Sequence, residues 1–256
     1  MLFTKTTFIG IDPTAGKRPF IYAALDHRRQ LLALAAGDME EVLAFVGGQQ
    51  EAFIAVSAPF QPNQGLMDNE TRRAQLATPP RAGRYLDYRL VEYLLCVHNI
   101  RTYRTPAEVS TCPRWMQSGF TVYKRLQQLS FHRHPAGENT RQFLEVYPHA
   151  CYCAWLDRAP LAKGTLEGRL QRQMILYENS LPVPDPMRYF EEITRYRLLQ
   201  GRMPKDILYE PGELDALAAA YTAWLAAHQP DQISLLGDPD EGQIVLPIPN
   251  LKKIKG

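Results

Sequence analysis

Apolar residues near the start of the chain fall into short runs separated by turns. Residues 7–12 (TFIGID) and 20–25 (FIYAAL) read as strands, and after the turn Asp26-His27-Arg28 residues 30–36 (QLLALAA) read as a third, which predicts an antiparallel meander. Asp38, with Glu41 three positions on, has the pattern of a capping box. It starts a helix, DMEEVLAFV, that Gly47-Gly48 stops. Residues 53–60 (FIAVSAPF) form a continuous apolar run ended by proline, the pattern of a central strand covered on both faces. The predicted order is β-β-β-α-β.

Beyond residue 60 the pattern loosens. A polar, proline-bearing stretch leads to a helix over 84–98, a short strand in IRTYRT and a helix over 114–129. QFLEVYPH, 142–149, reads as a strand that ends at a proline turn. Helices are predicted over 164–178, 187–200 and 213–228, the last with small apolar faces that permit close packing. GDPDEGQIVLPIP predicts a turn and one closing strand, and the tail LKKIKG a frayed end. No internal repeat is present. The expected architecture is one α/β domain over 1–256, with 61–140 as a basic, largely helical insertion.

Composition narrows the picture in two ways. At 45% apolar and 22% charged, the 256 residues are those of an ordinary globular chain, and no apolar run reaches the roughly 18 residues of a membrane span. The N-terminus runs into a strand pattern without a signal-peptide signature, so the expected location is cytoplasmic. Four cysteines are too few for a disulfide scaffold, and Cys151-Tyr-Cys153 lacks zinc-knuckle spacing; with His132, His134 and His149 close in sequence, the readings are buried or surface thiols, or a Cys/His zinc site.

The net charge of +2 hides an asymmetry. Residues 72–133 carry eleven basic side chains against three acidic ones, a net of +8, which leaves −6 for the rest. Ten of the eleven are arginine, whose planar fork suits phosphate. Such a segment fits a polyanion, or a solvated helical face. Lys17, Arg114, Lys124, Arg125, Lys163 and Arg169 are the candidate nucleic-acid contacts. Trp115, Phe120 and Tyr123, interleaved with them, suit base stacking or a core-facing stripe.

Three acids stand at telling places: Asp12 at the end of the first strand, Glu145 in QFLEVYP and Asp215 in the first turn of the alanine-rich helix. Singly, each has a structural reading: a turn cap, an arginine partner, a helix-dipole partner. Together they are oxygen ligands of the kind Mg²⁺ or Mn²⁺ takes, and two such ions clamp the attacking and leaving oxygens of a phosphodiester. Other motifs weigh less. GIDPTAGKR fails the Walker spacing, although Thr14-Ala15-Gly16-Lys17 could present amides to a phosphate. Ser57 lacks a nucleophile elbow. His149, four residues past Glu145, is either a general acid or a structural partner.

The ordered set GIDPTAGKRPF, IAVSAPF, WMQSGFTVYKRL, FLEVYPHA, KGTLEGRLQR, ELDALAAAYTAW and GDPDEGQIVLP resembles the domain of unknown function 429 (DUF429) family. The likeness runs from about residue 7 to 247. It implies a ribonuclease H-like mixed sheet and predicted nuclease activity, with the family's acids on Asp12, Glu145 and Asp215. Where the family has an aspartate after the buried strand, this chain has Ser57, whose neutral hydroxyl lowers the charge of the site. The expected function is thus divalent-metal-dependent hydrolysis of a nucleic-acid phosphodiester, with Asp12, Glu145 and Asp215 on Mg²⁺ or Mn²⁺ and Ser57 orienting a ligand water. The alternatives are a nucleic-acid- or partner-binding protein with a degenerate metal site, or ATP-dependent phosphotransfer on a related fold.

Overall fold

The computed structural model describes residues 6–14 and 18–255. β1 (Thr6–Asp12), β2 (Phe20–Leu25) and β3 (Leu31–Gly37) form the meander. α1 (Met39–Gly47) then crosses, and β4 (Glu51–Val56) returns parallel to β1. The β-β-β-α-β order read from the sequence is the order observed. Asp38 and Glu41 make the capping box reciprocally, each side chain accepting from the other's backbone N–H at 2.9 and 2.8 Å.

The middle of the chain holds α2 (Glu70–Ala74), α3 (Leu90–Val97), α4 (Arg114–Gln128) and the short β5 (His132–Arg133). β6 (Arg141–Glu145), α5 (Pro148–Leu156), α6 (Leu166–Glu178), α7 (Arg188–Glu191), α8 (Arg195–Leu199) and α9 (Pro211–His228) follow. The hairpin of β7 (Ser234–Asp238) and β8 (Gly242–Leu246) closes the fold. The sheet order is β3-β2-β1-β4-β6-β8-β7, with β5 paired to β6 off this path. β1, β4, β6 and β8 run parallel, which makes this a mixed α/β sheet.

Two cores cover the sheet. On one face Phe8, Ala55, Leu144 and Val146 pack with α5, α6 and α9. On the other Ile9, Ile11, Ile54, Val56 and Phe143 pack with α1 and α4. Burying side chains of this size contributes about 1.5–3 kcal/mol each before conformational entropy is set against it. No helix of the described residues is long and apolar enough to cross a membrane.

Several elements differ from the sequence reading. IRTYRT forms no ladder, because its polar groups go to side chains instead: the Arg101 carbonyl accepts from Tyr147 Oη at 3.1 Å, and the Thr105 N–H donates to Glu92 at 3.0 Å. The helix predicted over 187–200 is broken into α7 and α8, since Thr194 caps a new start by accepting from the Arg197 N–H. α5 and β7 were not predicted. α5 is apolar around most of its circumference and so carries little periodic signal.

One glycine sets the geometry of the site. A Cβ at Gly10, in β1, would lie 2.0 Å from the Ala216 carbonyl oxygen and 2.4 Å from the Ala220 nitrogen. Backbone of α9 therefore rests directly on β1, which only glycine against alanine allows. That contact carries the first turns of α9 to the C-terminal end of β1.

Candidate active site

Just past the neighbouring parallel strands β4 and β6 the chain turns to opposite faces of the sheet, Ala58 into the core of α4 and Ala150 of α5 into the other, before α3 returns to the α5 face through Val91 and Leu95. Such a divergence opens a crevice beyond the strand ends, where α/β proteins characteristically bind ligands. Here the crevice is a cavity of about 530 Å³, with Asp12, Pro13, Ser57, Pro148, Lys163, Arg172 and Asp215 in its lining.

Strand register decides which acids reach it. Ile11, Val56 and Glu145 stand side by side across β1, β4 and β6. Asp12 and Ser57 lie one step further on, and side chains alternate between faces, so they emerge on the α9 face. The Ser57 N–H donates to the Ile11 carbonyl at 2.8 Å and prolongs the pairing to this point. Asp215, on α9, arrives from above. A Cβ on Gly212 would sit 3.3 Å from Asp12 Oδ2, so the start of α9 lies against that carboxylate.

The two carboxylates are a strained pair electrostatically. Burial and then the charge of Asp215 push the Asp12 carboxyl up to about 7, against the pull of Lys163. Burial also raises Asp215, while Lys163 and Arg172 oppose the shift. The Lys163 ammonium touches Asp215 Oδ2. Burial alone would lower the lysine, but the two acids outweigh it and hold it protonated. The site thus has two acids for one contacting ammonium.

Other groups complete the lining. His149 is held below the ordinary histidine range by burial, then by Arg172, Lys163 and Arg101, so its ring is neutral at pH 7. Its Nε2 lies 3.7 Å from Cys153 Sγ. Arg172 is almost fully buried, donates to the Leu161 and Gly168 carbonyls at 2.8 and 3.0 Å, and stacks over Tyr152. Tyr103 sits edge-on between Trp115 and Tyr147, with ring centres 5.0 and 5.1 Å away. The hydroxyl oxygens of Ser57, Thr102 and Tyr103 are buried without a partner among the described residues.

Of the three acids expected to share a cation, the structure brings Asp12 and Asp215 together and puts Glu145 elsewhere. Glu145 points to the opposite face and is absent from the cavity lining. Both of its oxygens are taken by Arg89, at 2.8 and 2.9 Å, and Oε2 also accepts from the Phe60 N–H at 2.8 Å. The metal-ligand expectation for Glu145 is corrected on these grounds. Among the described residues, no group of three or more His, Cys, Asp or Glu side chains is arranged to hold a metal.

The basic candidates divide similarly. Lys163 lines the cavity. Arg169 instead ties α6 to the chain before α9, donating to the Tyr209 and Leu208 carbonyls at 2.9 and 2.7 Å and pairing with Glu210. Arg125 grips Glu40 on α1 through both guanidinium nitrogens at 2.9 Å. Arg114 and Lys124 are exposed on α4 outside the cavity, and Lys17 lies outside the described residues.

Much of the +8 segment is engaged internally: Arg72 with Asp238, Arg73 with two carbonyls, Arg89 with Glu145, Arg104 with Asp87, Arg133 with the Pro239 carbonyl. Arg101 alone of its eleven basic residues lines the cavity. Tyr123 is core, its hydroxyl donating to the Val56 and Ala58 carbonyls. Sequence reasoning missed Arg101 and Arg172 as site residues. Neither sits in a distinctive motif, and only the fold brings them to the crevice.

A mixed α/β chain with paired carboxylates, a lysine and a neutral histidine at its parallel strand ends is a protein built around a polar crevice site. The chain belongs to the DUF429 family of proteins of unknown function, whose model matches residues 10–241. No curated protein and no solved structure matches it.

Proposed function

We propose that the chain is a nuclease of ribonuclease H-like type that hydrolyses nucleic-acid phosphodiesters with one divalent cation, Mg²⁺ or Mn²⁺, held by Asp12 and Asp215. The observation that carries this reading is the convergence of two carboxylates, half-buried Asp12 and buried Asp215, that have a single contacting lysine between them. The donor set suits one ion, because Mg²⁺ is served by one or two carboxylates, with water and substrate phosphate completing its shell. A second ion would need Glu145, whose oxygens are committed to Arg89. When bound, the cation lowers the pKa of its water and neutralises charge developing on the phosphoryl oxygens.

The chain's own groups supply the rest. Neutral His149 offers an unprotonated ring nitrogen to accept the proton of the attacking water. Lys163 is placed to balance a phosphate oxygen in place of Asp215 once that carboxylate has another partner. Arg101 and the buried Arg172 add positive potential to the crevice. The Ser57 hydroxyl has no partner among the described residues, so it is available to orient a water.

The direct test measures cleavage of end-labelled DNA and RNA with Mg²⁺, with Mn²⁺ and with EDTA. The expected result is cation-dependent cleavage that Asp12→Asn and Asp215→Asn each reduce at least 100-fold. Equal cleavage by either variant removes the assignment. A second reading, nucleic-acid binding without turnover, is favoured by Ser57, a neutral group where the resemblance calls for a further acid. Salt-sensitive binding with no product in either metal would establish it instead.

A further inference from the structure

The cavity has a second chemical character away from its acids. Its wall over residues 101–103 and at Trp115 is aromatic and cationic. Tyr147 Oη holds the Arg101 carbonyl at 3.1 Å, which fixes the backbone that carries the guanidinium. The Arg101 side chain is exposed and makes no ion pair among the described residues.

Beside it α5 begins, nine residues long, with no side-chain cap and with Pro148 first, so its leading amides belong to His149 and Ala150. A helix start of this kind favours an anion. Trp115 is half-buried, held edge-on by Tyr103, and lines the same space. Thr102 and Tyr103 bring two buried hydroxyls without partners among the described residues. A cation, a helix start and an indole in one wall match a phosphate joined to a base.

The size of the space restricts which nucleic acid brings that pair. A cavity of about 530 Å³ is within the range of small-ligand sites, roughly 300–1,000 Å³. It is walled by residues 160–163 on the α5–α6 connection as well as by residues 101–103 and Trp115. An internal nucleotide would have to bring chain in on both sides. A duplex would also have to unstack, at about a few kcal/mol, a cost that falls for single strands.

We infer that this wall is a subsite for one unstacked nucleotide, with the base on Trp115 and the phosphate at Arg101 and the start of α5. The inference rests on the nuclease reading and names its substrate class, a strand end and not an internal site, with the free nucleotide as the ligand that a product would be.

The test is calorimetric titration of the full chain in EDTA, where hydrolysis does not run. The probes are adenosine and uridine 5′-monophosphates, inorganic phosphate, a linear 12-nucleotide strand and the same strand closed into a circle. Binding of the monophosphates marks a free nucleotide as a ligand, and binding of the linear strand marks a strand end.

Both are expected to exceed phosphate alone and to exceed the circle at least tenfold. Arg101→Ala is expected to weaken all phosphate-bearing probes about tenfold. Trp115→Leu, its fold checked by circular dichroism, should weaken the nucleotides and leave phosphate unchanged. Circle binding equal to linear, no monophosphate binding in the millimolar range, or an unaffected Arg101→Ala would overturn the subsite. Nucleotide binding without cleavage in Mg²⁺ or Mn²⁺ would instead remove the nuclease reading and leave the subsite standing.

Discussion

Glu145 and Arg89 are matched one to one, whereas Asp12, Asp215 and Lys163 stand two to one. The first cluster is sealed, with side-chain exposures of 2% and 0%, and its fork-to-fork geometry leaves the acid with no open oxygen. The second opens on the cavity, where the Lys163 side chain is 47% exposed. One step of strand register separates them, since Glu145 is level with Ile11 rather than with Asp12. A buried acid whose charge is fully matched holds elements together. On the proposed function, a pair whose charge is half matched has affinity left over for a cation. The comparison therefore assigns structure to one cluster and chemistry to the other, and each assignment can be broken separately.

The largest effect is expected at the sealed pair. Glu145→Ala leaves the Arg89 guanidinium buried without its counter-ion, which typically costs 3–5 kcal/mol, or roughly that range here. It also frees the Phe60 N–H and loosens the chain around Glu241, whose carbonyl shares Arg89. Denaturant unfolding should show the loss directly. A variant that keeps wild-type stability and loses only activity would return Glu145 to the site.

Next in size is Gly10→Ala. The new methyl would meet the α9 backbone at 2.0 Å, so helix and strand must part. Overpacking of this kind costs about 1–3 kcal/mol or more. Because the same contact carries Asp215 to Asp12, Mg²⁺ affinity should fall with stability. Gly164→Ala is the control, since a Cβ there meets nothing within 4 Å. Its unfolding midpoint should not move.

These two positions also show what the sequence could and could not convey. The meander, α1 and β4 were legible because their apolar spacing and capping pair are local signals. α9 was legible as a helix with small faces, whereas the glycine of β1 on which its backbone rests shows its role only in the fold. The face taken by Glu145 was not legible. Phe143, Leu144, Glu145 and Val146 are buried on both faces, so no alternation shows which way the acid points. Only pairing with β4 fixes it. The basic middle misled for a related reason: composition counts charges but not their partners, and Arg73, Arg89 and Arg133 are engaged within the fold.

Asp12→Asn should separate stability from function. The folded chain holds a proton on Asp12 up to about pH 7, whereas the unfolded chain releases it in the ordinary carboxylate range. Without a cation, stability therefore falls as pH rises from that range through about 7, and is level above it. Asp12→Asn should flatten this slope and raise stability at pH 8 by about 1–2 kcal/mol, while abolishing cation binding. In the wild type, Mg²⁺ affinity should climb about tenfold per pH unit below 7 and plateau above, as the cation displaces that proton. Thermal unfolding at pH 5 to 9, with and without Mg²⁺, reads both trends. A pH-independent wild type would show that Asp12 is not held protonated.

The smallest expected effect is also the sharpest test of the two-to-one arrangement. Lys163→Met removes a half-exposed ammonium, so stability should change by less than about 1 kcal/mol. The acids should then respond as a pair. Both lose a neighbouring positive charge, so the pH-dependent fall in stability should move to higher pH. Above that range, where both acids are ionised, Mg²⁺ should bind several-fold more tightly, because no ammonium competes for Asp215. Hydrolysis should nevertheless decrease, since the lysine no longer faces the phosphate. Tighter cation binding with slower turnover is an outcome that a purely structural lysine cannot produce. Weaker cation binding at pH 9 would mean that Lys163 positions Asp215 rather than competing for it, and the contrast between the two clusters would lose its basis.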